Sequence, residues 1–268
     1  MAGYVFHIIH AYEMYMSLLE STRAKMSEDA LKYIILGAVS PDLVDKYRFD
    51  EETNKNVWTG DKEKTHFNIE HPIYGKSYMI PDMQRIENLF LKKDPASLGV
   101  LAHLRYDLDH IENILLTYFK PIEGDMYVNV KTGEKISGLM LWGRWDEDES
   151  KRVYGQLYQL YDKFNAEMTE KYTNKIAAVY GREYPATKDG FLRFIKWLLG
   201  NPVPLTGVEE MDEYRGQNVD LYTEIETYFD NDGAGCIINA RPDELLEVVK
   251  SSAKALAKQI DELYADAA

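Results

Sequence analysis

Between Asp94 and Phe119 the apolar residues Leu98, Val100, Leu101, Leu104, Leu108, Ile111, Leu115 and Phe119 return at helical spacing behind an Asp94-Pro95 cap and first-turn pair. The pattern predicts a strong helix to about Lys120. Inside it lies His103-Leu104-Arg105-Tyr106-Asp107-Leu108-Asp109-His110. Positions i, i+4 and i+7 share one helical face, so His103, Asp107 and His110 form a stripe projecting from an otherwise apolar segment. Burying a carboxylate and two imidazoles without partners costs several kcal/mol, so the stripe must be paired, solvated or metal-bound. A hydrogen-bonded polar network in the core and a metal site both satisfy that demand, and only other segments can separate them.

The rest of the chain reads as mostly α. Phe6, Ile9, Met14, Met16, Leu18 and Leu19 predict a first helix from Tyr4 to about Lys25. Ser27, with Glu28 and Asp29 behind it, caps a second helix through Ile34 to Ile35 and Leu36 that stops near Gly37. Residues 38 to 71 are polar and aperiodic and read as a long loop, which in a compact chain needs something to order it. Tyr127 to Ile136 reads as a small hairpin turning at Thr132-Gly133, and helical patterns return over 147–180, 187–199, 216–230 and 242–265. We therefore expect one domain over 1–268, a multi-helix bundle. Its metal site would come from 1–120, a hairpin insertion from 121–145 and a helical scaffold from 146–268.

Composition excludes several classes. With 45 acidic and 31 basic residues the net charge is −14, a field that repels polyanions and disfavours long nucleic acids and anionic lipid surfaces. No apolar run approaches the ~20 residues that span a bilayer. The single cysteine, Cys236, forms no internal disulfide, and the start of the chain shows no secretion signal, so a cytoplasmic location is expected. The run Asp146-Glu147-Asp148-Glu149 reads as a solvated first turn, and Trp142 and Trp145 as core or boundary residues. A contiguous His-Asp pair, a Gly-rich phosphate loop and a Gly-x-Ser-x-Gly elbow are all missing from the sequence.

All six histidines fall within the first 110 residues. His7 and His10 share a face of the first helix, where each alone would read as a core or boundary histidine. Gly37-Ala38-Val39-Ser40-Pro41-Asp42 is a small-residue turn that delivers a carboxylate, and Thr65-His66-Phe67 precedes Glu70-His71-Pro72. In this order the segments resemble the zinc-dependent phospholipase C family, shared with the fungal single-strand nucleases. That family presents an N-terminal helix histidine, a Gly-x-x-x-Pro-Asp turn, a Thr or Ser-His-Phe triplet and a His-x-x-x-Asp helix. The resemblance spans residues 7 to 110 and leaves the C-terminal half uncovered.

By that resemblance Asp42, His66, His103 and Asp107 would hold one zinc, and Asp107 would bridge to a second ion that also takes His7. Such mixed imidazole and carboxylate ligation suits hydrolytic zinc. The chain departs from the pattern twice. It begins six residues before His7, so the family's amino-terminal ligand is not expected, and no histidine follows His110, so a third ion is not expected. His110 is the candidate to fill part of that gap, with His10 and His71 in supporting roles. The implied function is hydrolysis of a phosphoester or phosphodiester in a small phosphorylated substrate, through a water activated by one or two zinc ions, with Asp42 orienting that water or accepting its proton. The competing expectation is a non-catalytic scaffold or binding protein tied together by its metal.

Overall fold

The first helix, α1 (Tyr4–Ser17), buries every residue from Tyr4 to Tyr12, so over that stretch it has no solvent face and must run through the centre of the structure. The structure, a computed structural model, describes residues 3–44, 47–50, 52, 55–58, 61–138, 156–217, 219–227 and 240–265. The mostly α fold expected from the periodicity is present, with small β-sheets beside it. The acidic run at 146 to 149, Trp142, Trp145 and Cys236 lie outside the described residues.

After α1 come α2 (Glu20–Arg23) and α3 (Ala30–Val39), a 3₁₀ turn at Ser40–Asp42, and the antiparallel pair β1 (Tyr47–Asp50) and β2 (Lys55–Trp58). Then follow α4 (Asp61–His66), the hairpin β3 (Asn68–His71) with β4 (Gly75–Pro81), α5 (Met83–Phe90) and α6 (Pro95–His110). A π-helical turn at Ile111–Leu115 leads into α7 (Leu116–Tyr118) and a three-stranded sheet, β5 (Phe119–Ile122), β6 (Met126–Asn129) and β7 (Lys135–Ser137). The remaining described helices are α8 (Gln156–Ala178), α9 (Lys188–Leu199), α10 (Glu209–Asp212), α11 (Leu221–Thr227) and α12 (Pro242–Ala265). Around α1 pack α3, α6, α8 and α12, and buried apolar residues from Tyr4 to Tyr264 belong to one continuous cluster. None of the described helices is long and apolar enough to cross a membrane.

Four local expectations are corrected. The first helix does not run to Lys25, because Leu18 turns to extended backbone and the Leu19 amide donates 3.1 Å to Asp261 of α12. The second helix does not stop at Gly37; it continues to Val39 and tightens into the 3₁₀ turn that carries Asp42. Residues 38 to 71 are not one loop, since the segment folds into a strand pair and α4, whose short lengths hide their periodicity. The long helix ends before Lys120, because Phe119 enters β5 and pairs with Asn129.

The hairpin is where the pattern put it, with Tyr127 opposite Ile136 and Gly133 at φ 76°, and β5 adds a third strand. Asp94 caps α6 through the Ser97 amide at 2.9 Å, ahead of Pro95.

Two glycines set the close crossing of α3 and α6. A Cβ on Gly99 would lie 2.1 Å from the Ile34 carbonyl oxygen, and one on Gly37 would lie 2.0 Å from that of Ala96. Only glycines allow α3 and α6 to approach this far, so Gly37 serves packing rather than helix termination. The consequence is functional: the C-terminal end of α3 is pressed against the middle of α6, where His103 sits.

Candidate metal centre

Five side chains from four segments converge. His7 comes from α1, Asp42 from the 3₁₀ turn after α3, His66 from the last residue of α4, and His103 and Asp107 from successive turns of α6. All are buried, none more than 5% exposed. Their ligand-type atoms fall into two groups, His7 with His103 and Asp107, and Asp42 with His66 and His103, so His103 belongs to both.

Two histidines are oriented by backbone carbonyls. A carbonyl oxygen only accepts, so His103 Nδ1 donates to Ala38 at 2.7 Å and His66 Nδ1 donates to Lys62 at 2.9 Å. Each ring therefore turns Nε2, with its lone pair when neutral, toward the cluster, an outer hydrogen-bonding pattern typical of metal-ligating histidines. The two Nε2 atoms are 3.3 Å apart. His66 Nε2 lies 3.4 Å from Asp42 Oδ1 and 3.5 Å from Asp107 Oδ2, and His103 Nε2 lies 3.5 Å from the same Asp107 oxygen. The other oxygen, Asp107 Oδ1, is 3.6 Å from His7 Nε2, and the His7 and His103 rings stack at 3.6 Å.

These separations test whether an ion suits the residues. Charge-assisted hydrogen bonds run at ~2.7 to 2.9 Å. Ligand atoms ~2.0 to 2.1 Å from one tetrahedral zinc lie roughly 3.3 to 3.4 Å apart. The spacings fit the second case. Both oxygens of Asp107 are buried and accept no hydrogen bond, a costly state for a carboxylate unless a cation serves it. His103 Nε2 to Asp42 Oδ2, at 4.0 Å, is the loosest of these separations. The donor set and its spacing fit a divalent ion bound by nitrogen and oxygen.

The electrostatics fit as well. Burial pushes Asp42 up, but Lys62, His66 and His103 outweigh it and hold the carboxyl well below the usual range. Burial likewise opposes ionisation of Asp107, and the close approach of His103, then the charges of His7 and His66, reverse that and lower its pKa. Burial lowers His7 and His66. It also works against protonated His103, yet Asp107 and Asp42 prevail and raise that pKa.

Of the other expected residues, His110 is fully buried but is not in either group. Its Nε2 shares a short hydrogen bond with the Tyr161 hydroxyl of α8, and its ring meets Phe6 edge-on. One further turn along α6 carries it away from Asp42 and His66. His10 shares a 2.9 Å hydrogen bond with Ser252 of α12, and His71 Nδ1 accepts the Ile73 and Tyr74 amides, closing the β3–β4 turn. Burial pushes His10 and His110 down to about 3.

Sequence reasoning assigned no role to three contributors. Lys62, one turn before His66, pairs its ammonium with Asp42 Oδ1. Thr65 donates 2.8 Å to the Pro41 carbonyl and so ties α4 to the Asp42 turn. Tyr4 donates to the Asp42 carbonyl at 3.0 Å with its oxygen 3.3 Å from a Glu224 carboxylate oxygen of α11, and the Gly216 amide donates 2.9 Å to the Leu43 carbonyl. A helix placed over 61–66 would have put Lys62 and His66 on one face; the Gly216 and Glu224 contacts carry no local signal. No protein-family model matches the chain, and neither a curated protein nor a solved structure matches it.

Proposed function

We propose that the chain is a metal-dependent hydrolase of phosphoesters or phosphodiesters, using zinc in one or two sites and resembling the zinc-dependent phospholipase C and single-strand nuclease family. The observation that carries this reading is Asp107, a buried carboxylate with one oxygen toward His7 and the other toward His66 and His103. Asp42, His66, His103 and Asp107 would hold one ion, and His7 with Asp107 would serve a second. When bound, zinc supplies Lewis acidity toward phosphoryl oxygens and lowers the pKa of a bound water toward ~7.

The chain's own residues do the rest. Ala38 and Lys62 carbonyls keep the His103 and His66 rings aimed inward without further reorganisation. Asp42, held ionised by Lys62 and its histidine neighbours, is a weak base and a good hydrogen-bond acceptor. Its role is to orient a water rather than to store that water's proton. The apolar shell of α1, α3 and α6 excludes bulk solvent, which strengthens each electrostatic contact inside.

A second reading, a metal-stabilised scaffold without turnover, is favoured by the depth of the cluster, whose five residues are all buried. Metal analysis and turnover of bis-p-nitrophenyl phosphate separate the two. The hydrolase reading expects near-stoichiometric zinc and metal-dependent cleavage, both lost in His103→Ala. Full occupancy with no cleavage across a broad phosphoester panel would leave the scaffold.

A further inference from the structure

Lys62 is unlike its neighbours in the centre. Its side chain is 14% exposed where His7, His66, His103 and Asp107 are at 0%, so it stands on the solvent side of the centre. Its ammonium pairs with Asp42 Oδ1, the oxygen that also faces His66 Nε2 at 3.4 Å. A cation bound between Asp42 and His66 and this ammonium therefore contend for one carboxylate oxygen. Its main chain is meanwhile committed, since the Lys62 carbonyl orients His66. Only the long, flexible side chain is free to move, and a lysine stem tolerates such repositioning at low cost.

Charge decides where it goes. Asp42 and Asp107 together carry two negative charges, which one divalent ion neutralises. The Lys62 charge is then surplus at the partly exposed side of the centre, where an anion is its natural partner. Building on the metal reading of the centre, we propose that Lys62 is an exchangeable counter-cation: it holds Asp42 while the centre lacks an ion, is displaced when an ion binds, and then anchors an anionic phosphoryl oxygen of the incoming ligand. It would thus select anionic ligands and lower the intrinsic metal affinity.

The test uses the full chain, cobalt as the spectroscopic probe ion and inorganic phosphate as the probe anion. Lys62→Met, which keeps the aliphatic stem, is expected to bind cobalt roughly tenfold tighter than the parent in a chelator competition, because no ion pair has to be broken. Lys62→Arg, which keeps the charge, is expected to stay near the parent value. Phosphate added to the cobalt-loaded proteins, followed through the visible spectrum, is expected to bind Lys62→Met roughly tenfold more weakly. Equal or weaker cobalt binding by Lys62→Met, with His103→Ala still losing the ion, overturns the exchange and leaves the metal centre standing. Tighter cobalt with unchanged phosphate affinity overturns the anion role and with it the proposal. Retention of cobalt by His103→Ala overturns the ligand assignment itself, and the exchange falls with it.

Discussion

His103 and His110 lie on the same helix, share the stripe facing the core and are both completely buried. Their surroundings differ in kind. His103 meets two carboxylates and two other imidazoles, its outer nitrogen pinned to a main-chain carbonyl, whereas His110 meets the Tyr161 hydroxyl and the ring of Phe6. Residue type, burial and helical face do not make a ligand. What makes one is the presence, on other elements, of charges that the same ion can satisfy. The outer half of the stripe is a neutral core network and the inner half is a candidate metal site.

This contrast can be broken or sharpened by experiment, beginning with the crossing that creates the inner half. Gly99→Ala drives a methyl to within 2.1 Å of the Ile34 carbonyl. We expect it to cost roughly 3 kcal/mol or more in chemical denaturation, because backbone must move, and to separate Ala38 from His103. A loss below about 1 kcal/mol would show that α3 and α6 have room to part.

Next is the paired comparison. His103→Ala should weaken zinc binding at least ~100-fold, about 2.7 kcal/mol, while His110→Ala should leave it within a few-fold and instead lower stability. If titrations show the two substitutions costing equal metal affinity, His110 belongs to the ligand set after all.

The third test is pH dependence of the metal-free protein. Unfolded, His10 and His110 take a proton near 6.5; folded, they take one only near about 3. The unfolded state therefore binds more protons throughout that window, and stability falls as pH drops through it, by up to ~1.4 kcal/mol per pH unit for each histidine. His103 works on the other side: its raised pKa contributes stability that is complete below 6.5 and lost as pH rises through the folded value. Urea midpoints that stay level from pH 7 to pH 5 would refute the buried, neutral state of the His10 and His110 pair.

The smallest effect is expected from Tyr161→Phe, which removes one hydrogen bond to His110 and should cost about 1 kcal/mol with zinc affinity unchanged. A measurable drop in zinc affinity would mean that the outer half of the stripe supports the inner.

Much of this was legible in the residues, for identifiable reasons. The α6 helix, its Asp94-Pro95 start and the 127–136 hairpin rest on local signals, helical periodicity, capping chemistry and a Gly turn, which persist whatever the rest of the chain does. The order of His7, the Gly37 to Asp42 turn, His66, His103 and Asp107 named the five side chains that the fold brings together. The segment from 38 to 71 was not readable, because four-residue strands and a six-residue helix are too short to impose a period. Lys62 stayed hidden with it. The break at Leu18 was invisible for another reason: the group that ends the helix, Asp261, lies 242 residues away in sequence.

By itself, then, the sequence determined the mostly α class, the main helices and the chemical types available for a centre, since periodicity and side-chain chemistry are local properties. Tertiary structure alone decided which histidines join the carboxylates in the candidate metal centre. His103 and His110 are equivalent along α6. Only the close crossing at Gly37 and Gly99, the turn that carries Asp42 and the helix that ends in His66 bring negative charge and a second imidazole to one of them and not the other. A cation is held by the spatial sum of several charges and lone pairs, and that sum exists only once separate segments have packed together.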